Sequence, residues 1–249
     1  MTTVAVLADP PEPGFVLPDV VAETPLSSAE TARLYGAMLA DVCATLRAGG
    51  VDVLVNYRPP DQVPDGVDPE AALRATLTDA LDSLPRFEVQ VGETFSGRVG
   101  NTLSHLLDAE AERHVAATTP AAALLGRDDV GSMGMTLRSN QVAIAPAPGG
   151  RVALAGFSEP IDFAGAYAPP AVETLTDRAA DASLDVEFLA AMPVVETAAD
   201  LADAVARLRA RRRAGRIVPV RTAAVVEELG LRAAGSESGL AVARESDRP

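Results

Sequence analysis

The sequence predicts an α/β fold of three layers, with helices on both faces of a mostly parallel, mixed central sheet. Three observations predict it. Short apolar runs at residues 4–8, 51–55 and 114–117 end at polar or Pro/Gly breaks, as strands buried on both faces do. Segments with leucines at helical spacing separate them, so strand and helix alternate through the first half and the strands should run parallel. Two further strand candidates, residues 141–145 and 151–155, flank Pro146-Ala147-Pro148-Gly149-Gly150, a turn that can join them as a hairpin.

The elements follow in order. The first strand, residues 4–8, stops at Asp9-Pro10-Pro11-Glu12-Pro13-Gly14, and a loop of mixed character runs to Pro25. Ser27 followed by Glu30 forms a capping box for a helix whose Leu34, Met38, Val42 and Leu46 share one face, and Gly49-Gly50 ends it. The second strand is residues 51–55. Asp68 before Pro69 opens a helix with Leu73, Leu77 and Leu81 on its buried stripe. Residues 87–91 alternate as a third strand, and a glycine-bearing turn leads into a helix carrying Leu103, Leu106 and Leu107. A fourth strand, residues 114–117, ends at Thr118-Thr119-Pro120. A helix near residues 171–182 precedes a strand at 186–189, and Thr197 with Asp200 caps a final long helix bearing Leu201, Val205 and Leu208. Residues 1–234 are expected to form one domain, and residues 235–249, rich in Ser, Glu and Arg, a frayed flexible tail.

Composition bounds the rest. The chain has 249 residues, 48% hydrophobic and 22% charged, which suits an ordinary globular core and excludes wholesale disorder. No apolar run is long enough to span a membrane, the start is unlike a signal peptide, and the single cysteine, Cys43, excludes an internal disulfide. A cytoplasmic location is expected. The net charge is −14, and all 21 basic residues are arginine. An acidic, lysine-free chain with 4% aromatics suits a high-salt cytoplasm or a GC-rich genome. That field argues against nucleic acid as the main partner. The basic cluster at residues 207–216 is accounted for by cations opposing a helix dipole before Gly215, or else it is a nucleic-acid patch or docks an acidic partner.

Little points to conventional catalysis. His105 and His114 lack Cys or Asp at metal-ligand spacing, Cys43 reads as a small packed residue, and Ser132, Ser139 and Ser158 lack a nucleophile-elbow setting. In an open parallel sheet, ligands bind beyond the carboxyl ends of the strands. Residues 11–14, 92–101 and 118–120 therefore become the loops of interest. There Arg98 either contacts a phosphate or is a surface arginine pairing with Glu93 or Asp108, while Gly92 and Gly97 read first as turn formers.

The order of these motifs resembles the GT-A-type nucleotide-diphospho-sugar transferase superfamily, in particular its small bacterial and archaeal branch of transferase-like proteins. A more distant likeness is to the guanylyltransferase that activates phospholactate. The resemblance spans residues 4 to about 212. It rests on Pro11-Glu12-Pro13-Gly14 after the first strand, Leu26-Ser27 opening the first helix, Gln90 and Gly92 with Arg98 and Asn101 following, and Glu196-Thr197-Ala198-Ala199-Asp200-Leu201 before the last helix. The resemblance implies a nucleotide or sugar nucleotide as ligand, with Pro13, Gly14, Gly92, Arg98, Asn101, Thr118 and Thr119 near it. It also implies a Mg²⁺ or Mn²⁺ ion, for which Glu196 is the one carboxylate at a matching position.

The departures are specific. Phe15-Val16-Leu17-Pro18-Asp19 carries no cation where the family has one, Thr118-Thr119-Pro120 replaces an acidic pair, and Pro148-Gly149-Gly150 lacks the family's acid. Threonine hydroxyls are poor ligands for hard cations without a carboxylate. Two readings stay open: a glycosyl- or nucleotidyltransferase, and a catalytically inactive member kept as a binding or assembly protein.

Overall fold

The computed structural model describes residues 2–236 and 239–247. Seven strands, β1 (Thr2–Ala8), β2 (Asp52–Tyr57), β3 (Arg86–Val89), β4 (His114–Thr118), β5 (Val142–Ala147), β6 (Arg151–Phe157) and β7 (Val186–Phe188), form one sheet in the order β3-β2-β1-β4-β6-β5-β7. Strands β1 to β4 are mutually parallel, β6 runs antiparallel to both β4 and β5, and β7 is parallel to β5. The sheet is therefore parallel except for β6, whose reversal comes from the expected hairpin around residues 148–150.

The helices are α1 (Pro18–Glu23), α2 (Ser28–Ala48), α3 (Pro69–Thr78), α4 (Phe95–Ser104), α5 (Arg127–Thr136), α6 (Ala171–Asp181), α7 (Ala198–Arg213) and α8 (Val220–Glu228). Alternation along β1 divides them. Val4 and Val6 pack with α2, α3 and α5, whereas Ala5 and Leu7 pack with α4 and α6. This gives the three layers. A third apolar cluster lies outside them: α2 turns Leu34, Ala37 and Met38 toward α1, α7 and α8.

All three predicted helix starts hold. The Ser27/Glu30 and Thr197/Asp200 capping boxes close in both directions, and the Asp68 carboxylate accepts from the Ala71 amide at 3.0 Å. Three helices escape the sequence reading. Helix α1 is only six residues long, α5 holds Gly131 and Gly134 and little apolar periodicity, and α8 lacks a side-chain cap of its own. Helix α7 is consequently not the last.

The expected tail at 235–249 is corrected over residues 235–236 and 239–244, while 237–238 and 248–249 lie outside the described residues. There β9 (Gly239–Arg244) pairs antiparallel with β8 (Leu231–Ser236), against α7 and α8. Leu231 and Val242 are buried, and two apolar side chains seated in the third cluster are what order this segment. Arg244 also reaches both Glu30 carboxylate oxygens at 2.8 Å.

That contact has a pH signature. The Ser27 amide and the Arg244 guanidinium hold the Glu30 carboxyl down at about 2, from an ordinary value of 4.5. A carboxyl depressed in the folded state stabilises above the unfolded value and loses that contribution as pH falls toward the folded one. After discounting for solvent screening, about 1 kcal/mol should be lost between about pH 5 and pH 2. Unfolding curves of wild type and Glu30→Gln should therefore converge as pH falls through that window. A constant gap would exclude this role.

Candidate functional site

Strand order reverses between β1 and its neighbours: β2 and β3 follow on one side and β4 begins the other. A cleft of about 360 Å³ opens at the carboxyl ends of these strands, where open α/β sheets bind ligands. Leu7 and Asp9 come from the end of β1, Arg58 follows β2, Gln90 follows β3, and Thr119 follows β4; Arg98 reaches in from α4 and Glu196 from the approach to α7. Phe15, Tyr35 and Phe95 supply apolar walls.

Arg98 is not the surface arginine of the alternative reading. It is 5% exposed, Nη1 donates to the Glu93 backbone carbonyl at 3.0 Å, and Nε, also buried, has no partner among the described residues. Burial, followed by the nearby Arg58, pulls its pKa below the ordinary arginine value. Gly92 makes this placement possible. Its φ of 127° is open to glycine, and a Cβ there would stand 3.1 Å from the Arg98 amide nitrogen. Asn101 ties the same turn down, donating from Nδ2 to the Val91 carbonyl at 2.7 Å.

Gln90 is equally buried and equally incomplete. Its Nε2 donates to the Asn56 carbonyl at 2.7 Å, while Oε1 has no partner among the described residues. Asn56, itself 1% exposed, accepts from the Thr102 hydroxyl at 2.9 Å and donates to the Glu88 carbonyl at 3.2 Å. β2, β3 and α4 are thereby cross-linked beneath the cleft. Arg98 and Gln90, each keeping one buried polar atom unpaired among the described residues at a cost of about 1–3 kcal/mol, thus line the same cleft.

Arg58 is the residue that sequence reasoning missed. It forms an ion pair with Asp9, Nη2 lying 3.5 Å from Oδ2, and stands over the Phe15 ring at 5.8 Å. Its signal was a cation just past the end of the second predicted strand, in a loop of the ligand-binding class. It brings to the cleft the positive charge that the first loop lacks. Tyr35, buried, accepts the Asp9 amide at its hydroxyl oxygen at 2.9 Å, and burial pushes its pKa up.

The other predicted site residues divide. Thr119 and Glu196 line the cleft with Arg98. Thr118 is buried and donates its hydroxyl to the Ala153 carbonyl at 2.7 Å, across the sheet. Pro13 lines a different groove, between α2, α3 and α8, with Gly36 and Arg221. Gly14 has φ 81° and open space around its Cα. His105 is exposed beside Glu110, and burial drives the Cys43 thiol up to about 12.

The donor set does not fit a divalent cation. Glu196 is paired with Arg151 at 2.9 Å, Asp9 with Arg58, and Thr118 with a backbone carbonyl. Among the described residues no three Asp, Glu, His or Cys groups cluster as ligands. No described helix is long and apolar enough to cross a membrane.

No family model and no curated protein matches the chain. Solved structures do. A protein from Desulfovibrio desulfuricans G20, assigned as a nucleotide-diphospho-sugar transferase, aligns with a TM-score of 0.73 at 19% identity, over 91% of this chain and 94% of its own. A 4-diphosphocytidyl-2C-methyl-D-erythritol synthase from Anaerococcus prevotii gives 0.52 at 11% identity, over 84% and 95%. CMP:2-keto-3-deoxy-manno-octonic acid synthetase in complex with CTP gives 0.50 at 13%, over 85% and 99%. The fold is that of the nucleotide-diphospho-sugar transferases and their nucleotidyltransferase relatives.

Proposed function

We propose that the cleft beyond β1 to β4 binds a nucleotide or sugar nucleotide, and that the chain is a nucleotidyl- or glycosyltransferase. The observation that carries this reading is that Arg98 and Gln90, each with a buried polar atom unpartnered among the described residues, line one cleft together with a second guanidinium, Arg58. A guanidinium matches the planar, bidentate geometry of phosphate oxygens. Gln90 supplies a polar side chain to the cleft wall, and Phe95, 37% exposed, supplies apolar ring surface for a base or sugar. The complex of one structural neighbour with CTP is in keeping with this ligand class.

A second reading, nucleotide binding without transfer, is favoured by Thr118, whose hydroxyl is engaged by Ala153 at a position where the resembled family carries an acid. Binding and turnover separate the two. Thermal denaturation with a panel of nucleotides and sugar nucleotides, with and without Mg²⁺ or Mn²⁺ and in molar KCl, should give one ligand that raises the midpoint by about 5 °C near saturation. Arg98→Ala should weaken that ligand by about tenfold or more, since a charge-assisted bond is lost. Silence across the panel would refute the ligand class. A bound nucleotide left intact in the presence of sugar and alcohol acceptors, by phosphorus NMR, would select the non-catalytic reading.

A further inference from the structure

The Arg58–Asp9 pair stands within the same cleft as a second arginine, Arg98, that forms no ion pair among the described residues. Among the described residues Arg98 donates to one acceptor, the Glu93 backbone carbonyl. Arg58 and Asp9 are 30% and 27% exposed, so the pair faces the opening and is not sealed beneath it. The remaining carboxylate on the wall, Glu196, is turned to Arg151, which is itself held bidentately by Asp200 at 2.7 and 2.8 Å.

We propose that this cleft reads the phosphate chain of its ligand with Arg58 and Arg98 in place of a divalent cation, and that Asp9 competes with that chain for Arg58. The inference rests on the nucleotide reading above and specifies how its anionic part is held. Two guanidinia supply two positive charges and a fork of donors each, which is what a polyphosphate otherwise draws from a metal ion. In the free protein Asp9 offsets one of those charges. A phosphate oxygen reaching Arg58 must displace the Asp9 carboxylate and is repelled by it, so Asp9 weakens binding while keeping Arg58 ordered. Arg58 and Arg98 line one cleft and repel each other there, so they gain most when an anion sits between them.

The test uses inorganic pyrophosphate as probe and isothermal titration calorimetry of the full chain, in EDTA and in excess Mg²⁺ at equal ionic strength. Binding in EDTA within about threefold of that in Mg²⁺ is expected, with about tenfold weaker binding for Arg58→Ala and for Arg98→Ala. Arg98→Lys, which keeps the charge without the fork, should also weaken it and guards against a folding defect in the alanine variant. Asp9→Asn should bind about tenfold more tightly, and this gain should shrink when Arg58 is also replaced by alanine. Binding that requires Mg²⁺, or unchanged or weaker binding by Asp9→Asn, would overturn this inference and leave the nucleotide site standing. Nucleotide binding without pyrophosphate binding would also overturn it. Absence of both would overturn the nucleotide reading with it.

Discussion

Replacing Phe157 with alanine is expected to lower the unfolding free energy by about 4 kcal/mol. Phe157 ends β6, the one antiparallel strand, and is fully buried between Val115 of β4 and Val142 of β5, the residues that pair with it on either side. Its ring meets that of Phe163 edge-on, with centroids 5.2 Å apart and planes at 74°, a favoured aromatic arrangement. Truncation leaves a cavity at the centre of the α4/α6 face that strands paired on both sides cannot close. For a chain of this size the loss corresponds to a midpoint lower by about 10 °C. Urea unfolding should show the change in midpoint with little change in slope. Phe157→Leu, which refills most of the volume, should cost about 1 kcal/mol. Equal losses for the two variants would mean that the cavity is not the cause.

Asp41→Ala is expected to cost about 3 kcal/mol. Asp41 lies on α2, 5% exposed, and accepts the backbone amides of Arg221 at 3.2 Å and Thr222 at 2.7 Å. These are first-turn amides of α8, whose N-cap position is Pro219 and provides no side-chain acceptor. An aspartate far away in sequence thus performs the capping that Ser27 performs locally for α2, and its charge also suits the positive end of the helix. Alanine leaves two amides without an acceptor and Arg221 without its carboxylate at 3.5 Å. Amide exchange in α8 should accelerate ahead of exchange in the central sheet, because α8 belongs to the outer cluster. Asp41→Asn, which retains an acceptor, should lose about half as much. Unchanged α8 exchange in Asp41→Ala would exclude the capping role.

Much of the fold is legible in the residues because its signals are short-range. The capping boxes at Ser27 and Thr197 and the Asp68-Pro69 start each involve groups three residues apart, and the turn at residues 148–150 joins two strands adjacent in sequence. Of the candidate site, the loop carrying Gly92, Arg98 and Asn101 is also legible, since its geometry is closed by contacts within ten residues. Helices α5 and α8 escape for different reasons: α5 has two glycines and weak periodicity, so its local cap of Asp129 on the Gly126 amide is an isolated signal, and α8 depends on Asp41. The segment at 239–244 reads as a tail because its Val242 and Arg244 find their partners on α7, α8 and α2.

By itself the sequence determined the alternation of strands and helices, where α2, α3 and α7 start, and the loops from which the candidate cleft is built. Those follow from side-chain period, backbone capping and steric limits on φ, all of which act over a few residues. Only the tertiary structure decided that Arg98 Nε and Gln90 Oε1 are buried without a partner among the described residues, and that Arg58 faces Asp9 across 49 positions of sequence. Burial and ion pairing depend on which segments the sheet order brings side by side, and no local pattern encodes that neighbourhood.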